Sequence, residues 1–460
     1  MTVDMTVVRD VVIVVPGIMG SELVDADDKP VWSVSPGALA NAIRTLGKSL
    51  QRLELPDGIG DNSPDDGIRA TALLNSLHVV PGLWSPITGY DGLISFLRSG
   101  RFHLVEADPR NPGLVPNLIQ FPYDWRLSNR FNGKLLAQVA SNALERWRSQ
   151  PGMGEAKLVL VCHSMGGLVA RWFAEREGGA ELIRALVTIG TPHRGSLGAL
   201  AHLVNGLEPG IGPLHLPLTQ FVRSLPALYQ MLPHYDCLVT NSGRTSLSQG
   251  RCPGLDTDML ADALAFGEQI AGRDPLPYTL HKVVGIRQPT PTTAQVAGSQ
   301  LVPSVEIDGH NQGGDGTVPQ LAAEPTAGRG REVHAIAAQH GELQGTRSVL
   351  DLVDGILSRQ EIVWQVAEVE GFGLEMADLW TTRQEPQLQV SGLKDVRLLV
   401  TVKDELDRLV FGPSPVSPDG TATVARLPEG GYRAVVASSS RGGPLPVAKP
   451  FLVLDPNQGP

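Results

Sequence analysis

The stretch LVLVCHSMGGLVARWF, from Leu158 to Phe173, constrains this chain more than any other. Four apolar residues run into Cys-His-Ser-Met-Gly-Gly, and the apolar spacing then changes from that of a strand to that of a helix. A strand that turns at once into a helix needs small residues at the corner, because the two elements pass close together. Ser164 then stands at the carboxyl end of a strand and at the amino end of a helix. A sharp turn there presents its hydroxyl, aims the N–H of Met165 at the same space and adds the positive end of the helix dipole. The stretch departs from G-x-S-x-G, because Cys162 occupies the place of the first glycine. Taken alone it also fits an ordinary corner with a capping serine.

A serine hydroxyl is a weak nucleophile and needs a base, a group that orients the base, and donors for the developing oxyanion. In an open α/β sheet these meet beyond the carboxyl ends of the strands, in the chain order Ser, Asp or Glu, His. Downstream, GGDGTVP at 313–319 places Asp315 in a tight glycine loop, where an Asx-turn is the alternative use of the residue. Asp308 is the rival acid. The run EVHAI then gives way to AAQHGELQG, which puts His340 in a loop after a strand, where the base belongs. His334 lies within that strand and is worse placed, and His163 beside the serine reads as structural. For the second oxyanion donor, VVIVVPGIMGSEL ends a strand at Pro16-Gly17, and the N–H of Ile18 is the candidate beside that of Met165. No HExxH, paired CxxC, G-x-G-x-x-G or P-loop lysine occurs, so no metal or cofactor is implied.

The surrounding pattern predicts an α/β fold with a mostly parallel sheet. Apolar runs at Val11–Val15, Lys157–Cys162, Arg184–Ile189, His281–Ile286 and Glu332–Ile336 read as strands. Leu135, Leu136, Val139, Ala143, Leu144 and Trp147 keep a helical period, and Ser348–Leu357 reads as the closing helix. Residues of about 25–120 and 196–280, rich in Pro, Gly, Leu and His, read as excursions over one face of the sheet. After about residue 360, short alternating runs separated by turn signals predict a small β-sandwich. The expected domains are therefore 1–360 and 361–460.

With 460 residues, 42% hydrophobic and 19% charged, the composition is that of a soluble globular protein. A net charge of −10 argues against a nucleic-acid partner and leaves no basic stripe for anionic lipid. No run is long enough to span a membrane. Asp4, Arg9 and Asp10 interrupt the start, so no signal peptide is evident and a cytoplasmic address is expected, peripheral membrane contact being left open. The three cysteines, Cys162, Cys237 and Cys252, form no disulfide framework, and pairing of the last two is left open.

The segments PGIMGSEL, FPYDWRLSN, CHSMGGLVARWF, TIGTPHRGS, SLPALYQMLP and GGDGTVP stand in the order found in the lecithin:cholesterol acyltransferase-like α/β-hydrolases, which the chain resembles over roughly residues 8–357. The resemblance implies an α/β-hydrolase fold and an acyl-enzyme on Ser164, with Asp315 as acid, His340 as base and Ile18 and Met165 as oxyanion donors. It further implies an ester lipid as substrate, its acyl group passing to water or to a lipid alcohol, and lid or membrane-facing roles for the two excursions. Asp124, Trp125 and Arg126 read as a buried ion pair and aromatic. The competing expectation is a non-catalytic interaction protein with a retired hydrolase core and a partner-binding β domain. The sequence does not identify a partner for the β-sandwich.

Overall fold

The inner strands of the central sheet are largely apolar runs because both of their faces are covered. The computed structural model describes residues 7–33, 52–75, 89–207, 210–211, 214–215, 218–250, 252–272, 275–325, 333–359, 371–392, 396–440 and 443–456. Within these, β1 (Val11–Val15), β2 (Leu118–Gln120), β3 (Leu158–His163), β4 (Ile183–Ile189), β5 (Thr279–Gly285) and β6 (Val333–Ile336) form one sheet. Their order is β6-β5-β4-β3-β1-β2, and every neighbouring pair is parallel. Val11, Ile13, Val15, Leu158, Leu160 and Cys162 point into one apolar cluster. Val12, Val14, Val159, Val161, Val187 and Ile189 point into the other. This two-residue alternation, with each enclosed valine or leucine contributing about 1.5–3 kcal/mol, fixes the register of the strands.

Helices among the described residues cover both faces. Helix α1 (Asp91–Leu97) adds Leu93, Ile94 and Leu97 to the second cluster, while α2 (Asn129–Arg148) and α3 (Gly166–Arg176) pack on the first. Helix α4 (Arg347–Leu357) closes the second face with Val349, Leu352, Val353 and Ile356. The buried seam of α2 is Leu136, Ala140 and Leu144, so the expected face is turned slightly and Val139 lies at the surface. The first expected excursion also contributes to the core, since β2 is the edge strand of the sheet and α1 adds to the same apolar cluster as Leu118. No described helix is long and apolar enough to cross a membrane.

Further on lie β7 (Gly373–Met376), β8 (Leu379–Thr381), β9 (Gln387–Ser391), β10 (Leu398–Asp404), β11 (Leu409–Pro415), β12 (Thr421–Thr423), β13 (Gly430–Ser438) and β14 (Val447–Leu454). They form a three-stranded sheet, β7-β9-β12, and a five-stranded sheet, β8-β14-β13-β10-β11. Leu374, Leu388 and Val390 of the first meet Val400, Ala434, Val436 and Phe451 of the second in one apolar core. The all-β region expected from the alternating pattern is present. The expected boundary near residue 360 lies outside the described residues.

Several histidines are buried in this framework. Burial pushes His163 down to about 3, and His234, His281 and His334 to about 4; His193 is also held well below its usual value, first by burial. Below the ordinary value of 6.5 the unfolded chain takes up protons that these folded histidines refuse, so stability present above pH 6.5 is lost as the pH falls toward 4. Urea midpoints at pH 7.5, 6 and 5 should therefore decline steeply, with about 1–2 kcal/mol lost per such histidine at pH 5. A flat profile over that range would contradict this account.

Candidate active site

Ser164 follows β3 directly and has φ 52°, a left-handed conformation that a non-glycine residue adopts only where its surroundings impose it. Its N–H donates to Ile189 O on β4 at 2.8 Å, which ties the turn to the neighbouring strand. Helix α3 begins two residues later with Met165 as N-cap and no side-chain cap, so the capping-serine alternative is not what the chain adopts. A Cβ at Gly166 would collide with the Pro16 carbonyl oxygen, and one at Gly167 with the Thr191 side chain. The two glycines after the serine are thus required by close passage of the chain. Cys162 points away into the apolar core, and burial raises its thiol well above the usual value.

The structure brings the three expected residues together. His340 Nε2 lies 2.8 Å from Ser164 Oγ, and His340 Nδ1 lies 2.7 Å from Asp315 Oδ2. With the carboxylate as acceptor, Nδ1 carries the proton and Nε2 accepts from the serine hydroxyl; this tautomer follows from the hydrogen bonds. The other carboxylate oxygen, Oδ1, accepts from Thr317 N at 2.9 Å and Val318 N at 2.7 Å, an Asx-type arrangement that aims Oδ2 at the histidine. The backbone repeats the pairing, since His340 N–H donates to Asp315 O at 2.8 Å. Space is tight enough that a Cβ at Gly190 would stand 3.0 Å from Asp315 Oδ2 and 3.1 Å from His340 Nδ1. All three side chains are enclosed, at 1% exposure or less. Asp308 lies elsewhere, 74% exposed and facing Arg244, and His334 stacks on His281.

The loop from Pro16 to Ser21 passes beside the serine, and a Cβ on Gly17 would come within 2.9 Å of Ser164 Cβ. Four aromatic side chains hold its backbone. Tyr90 Oη accepts from Gly17 N at 2.8 Å, Tyr123 Oη donates to Pro16 O at 2.9 Å, Trp32 Nε1 donates to Met19 O at 3.0 Å, and Trp125 Nε1 donates to Ser21 O at 3.2 Å. Among the described residues, the N–H groups of Ile18 and Met165 have no hydrogen-bond partner. Asp124 and Arg126 form the expected buried ion pair at 2.7 Å, with Asp66 on the other side of the guanidinium at 2.8 Å.

His163 proves more connected than its reading as a structural neighbour suggests. Its Nε2 lies 3.1 Å from His340 O, which can only accept, so Nε2 carries the proton. Its Nδ1 then accepts from Tyr90 Oη at 3.0 Å. Burial first, then the nearby His340, keeps this imidazole neutral, and burial likewise pushes the Tyr90 phenol upward. Gly17, Tyr90, His163 and His340 therefore form one directed chain of buried hydrogen bonds. Tyr90 stands 73 residues from both Gly17 and His163, and no local pattern marks it.

Glu342 lies two residues beyond the base. Its Oε1 is enclosed without a hydrogen-bond partner, and burial raises its carboxyl to about 7 against the pull of Arg433 on β13. Cys237 and Cys252 are free thiols, both raised by burial, to about 12 and about 11. Among the described residues no cluster of His, Cys, Asp or Glu is placed to hold a metal ion.

A parallel sheet in this order, with a strained serine elbow after its third chain-order strand and helices on both faces, is the α/β-hydrolase fold. Residues 103–249 match the family model for lecithin:cholesterol acyltransferase. A comparison with curated proteins found no match. Among solved structures, the Tle4–Tli4 complex is similar at 16% identity, with 77% of this chain and 99% of that chain covered and a TM-score of 0.48. The Bacillus licheniformis lipase BlEst2 in mature form is 12% identical, with 76% and 92% covered and a TM-score of 0.36. The phospholipase PlaB from Legionella pneumophila is 11% identical, with 96% and 88% covered and a TM-score of 0.21.

Two outcomes follow for stability. Tyr90→Phe leaves Gly17 N–H and His163 Nδ1 unpaired and should cost about 2–4 kcal/mol in urea unfolding, more than Tyr123→Phe, which removes only the donor to Pro16 O. For Glu342, the folded carboxyl keeps a proton between its ordinary value of 4.5 and about 7 that the unfolded chain releases, so stability falls as the pH rises through that window. Glu342→Gln should remove that segment of the profile, improving by about 1–3 kcal/mol relative to wild type between pH 4 and pH 8.

Proposed function

We propose that this protein is a serine-dependent enzyme that forms an acyl-enzyme on Ser164 from an ester lipid and passes the acyl group to water or to a second alcohol. The observation that carries the proposal is the unbroken chain from Ser164 Oγ through His340 to Asp315, at 2.8 Å and 2.7 Å. In the proposed reaction His340 Nε2 takes the serine proton as Oγ attacks the ester carbonyl. The carbonyl oxygen becomes an oxyanion and is received by the N–H groups of Ile18 and Met165, the latter at the amino end of α3. On collapse, His340 returns its proton to the departing alkoxide. Water or an alcohol then enters, and His340 removes its proton as its oxygen bonds to the acyl carbon; on collapse the acyl–Oγ bond breaks and His340 returns the proton to Ser164 Oγ. Asp315 holds the imidazole in the required tautomer throughout. An oxyanion donor of this type is worth about 10²–10³ in kcat, which accounts for the number of side chains that fix the Pro16–Ser21 backbone.

Support for a lipid substrate comes from the family match over residues 103–249, which includes the elbow itself. Hydrolysis and transfer use the same residues and differ in how well the closed site excludes water. A fluorophosphonate probe should label the wild type at Ser164. Ser164→Ala should remain folded, lose the label and lose about 10⁴-fold or more in kcat/KM on a soluble ester. A folded wild type that takes no label would overturn the proposal. Phospholipid vesicles with and without a long-chain alcohol then separate the two outcomes, free fatty acid marking hydrolysis and a new alkyl ester marking transfer.

A further inference from the structure

The C-terminal β region touches the protein at a particular place. Gln288, fully buried just beyond β5, donates from Nε2 to Phe372 O at 3.0 Å, and its Oε1 accepts from Leu374 N at 3.0 Å. The side-chain amide thus pairs with the start of β7 as a neighbouring strand would. Gln339 Nε2 donates both to Leu374 O and to Gln288 Oε1, at 2.8 Å each, which closes the network. The approach is close, for a Cβ on Gly373 would come within 2.7 Å of Arg287 O.

Both glutamines belong to the loops that carry the acid and the base. Gln288 N–H donates to Gly314 O at 3.0 Å, and Gln288 bridges Asp315 in parallel, while Gln339 immediately precedes His340. Arg433 on β13 adds the charge that opposes the burial of Glu342, two residues beyond His340. We infer that the C-terminal β region is a working part of the active site: through the paired amides of Gln288 and Gln339, it sets the positions of Asp315 and His340. The inference rests on the catalytic reading above and assigns Gln288 and Gln339 as positioning residues, since neither bonds to the reacting serine.

The physical reason is that Asp315 and His340 both stand beyond the ends of the sheet strands, where a single bridge at Asp315 and one short 3-10 turn at His340 take the place of a continuous ladder. Buried amides are left unpaired if their partners are lost, so the network is kept whole or broken as a unit. The full chain carrying Gln339→Met or Gln288→Met keeps the side-chain volume while deleting the hydrogen bonds. On a soluble ester each should lower kcat tenfold or more with KM within twofold. Each should also weaken or broaden the low-field proton resonance of the His340–Asp315 hydrogen bond. Arg408→Ala, at an exposed hairpin of the same region, should change neither quantity. Wild-type kcat and an unaltered resonance in both methionine variants would overturn the inference. If Gln339→Met does not fold, Gln339→Asn, one methylene shorter, should show the same loss in kcat. The proton resonance reads the positioning without turnover, so an unlabelled wild type with a variant-sensitive resonance would count against the catalytic reading and not against the clamp.

Discussion

The carboxyl end of the sheet is organised by the distance at which the chain passes itself between Pro16 and Gly166. β1 and β3 are hydrogen-bonded neighbours, with Val15 opposite Cys162, so the turns that leave them emerge side by side. No side chain fits between the Pro16 carbonyl and the start of α3. That single approach makes Gly166 obligatory, places Gly17 against Ser164 and leaves the serine in its positive-φ turn. A conformation of that kind costs about 1–3 kcal/mol and persists only where the packing around it is over-determined. Here that packing is the continuous valine and leucine interior on either face of the two strands.

Strands hold themselves by their ladders, whereas the loops beyond them do not, and the structure divides its polar side chains accordingly. The Pro16–Ser21 loop is held by phenol and indole groups, each apolar body sitting in the core while its polar tip reaches backbone. The Asp315 loop is held by its own Asx turn and by Ser196 Oγ, which donates to Thr317 O at 2.7 Å. The His340 loop takes its bonds from Asp315, His163 and the C-terminal region. The segments around Ser164 are therefore anchored by buried side-chain hydrogen bonds where no strand ladder holds them.

How much of this the sequence discloses depends on whether the cause is local. The elbow is local: a β-rich run, two small residues and a helical period lie within sixteen positions, and the strand ends shift by only a residue or so. Asp315 and His340 are legible because glycine loops and post-strand positions have their own signature, and because the order Ser, Asp, His is restrictive. Tyr90, Gln288 and Gln339 have no such signature. Their roles arise from pairings across 73, 84 and 35 residues, and an isolated tyrosine or glutamine looks the same whether or not a distant backbone group awaits it. The edge strand Leu118–Gln120 was hidden for a related reason, since three residues are too few to show a period.

The two neighbouring imidazoles beside the serine illustrate what such hidden pairing achieves. The rings of His163 and His340 lie with centroids 5.1 Å apart, a separation at which two positive charges in a buried site repel strongly. In the proposed reaction His340 must carry a proton transiently, so its neighbour must not. Burial first, then the nearby His340, keeps His163 neutral to about pH 3, and Tyr90 donates a hydrogen bond to its Nδ1. A neutral His163 can still donate from Nε2 to the His340 carbonyl, and so it steadies the base without competing for charge. The same Tyr90 oxygen accepts from Gly17, beside the candidate oxyanion donor. One tyrosine thereby fixes the tautomer of a histidine and the path of a loop, which links His340 to the candidate oxyanion site through groups that stay uncharged.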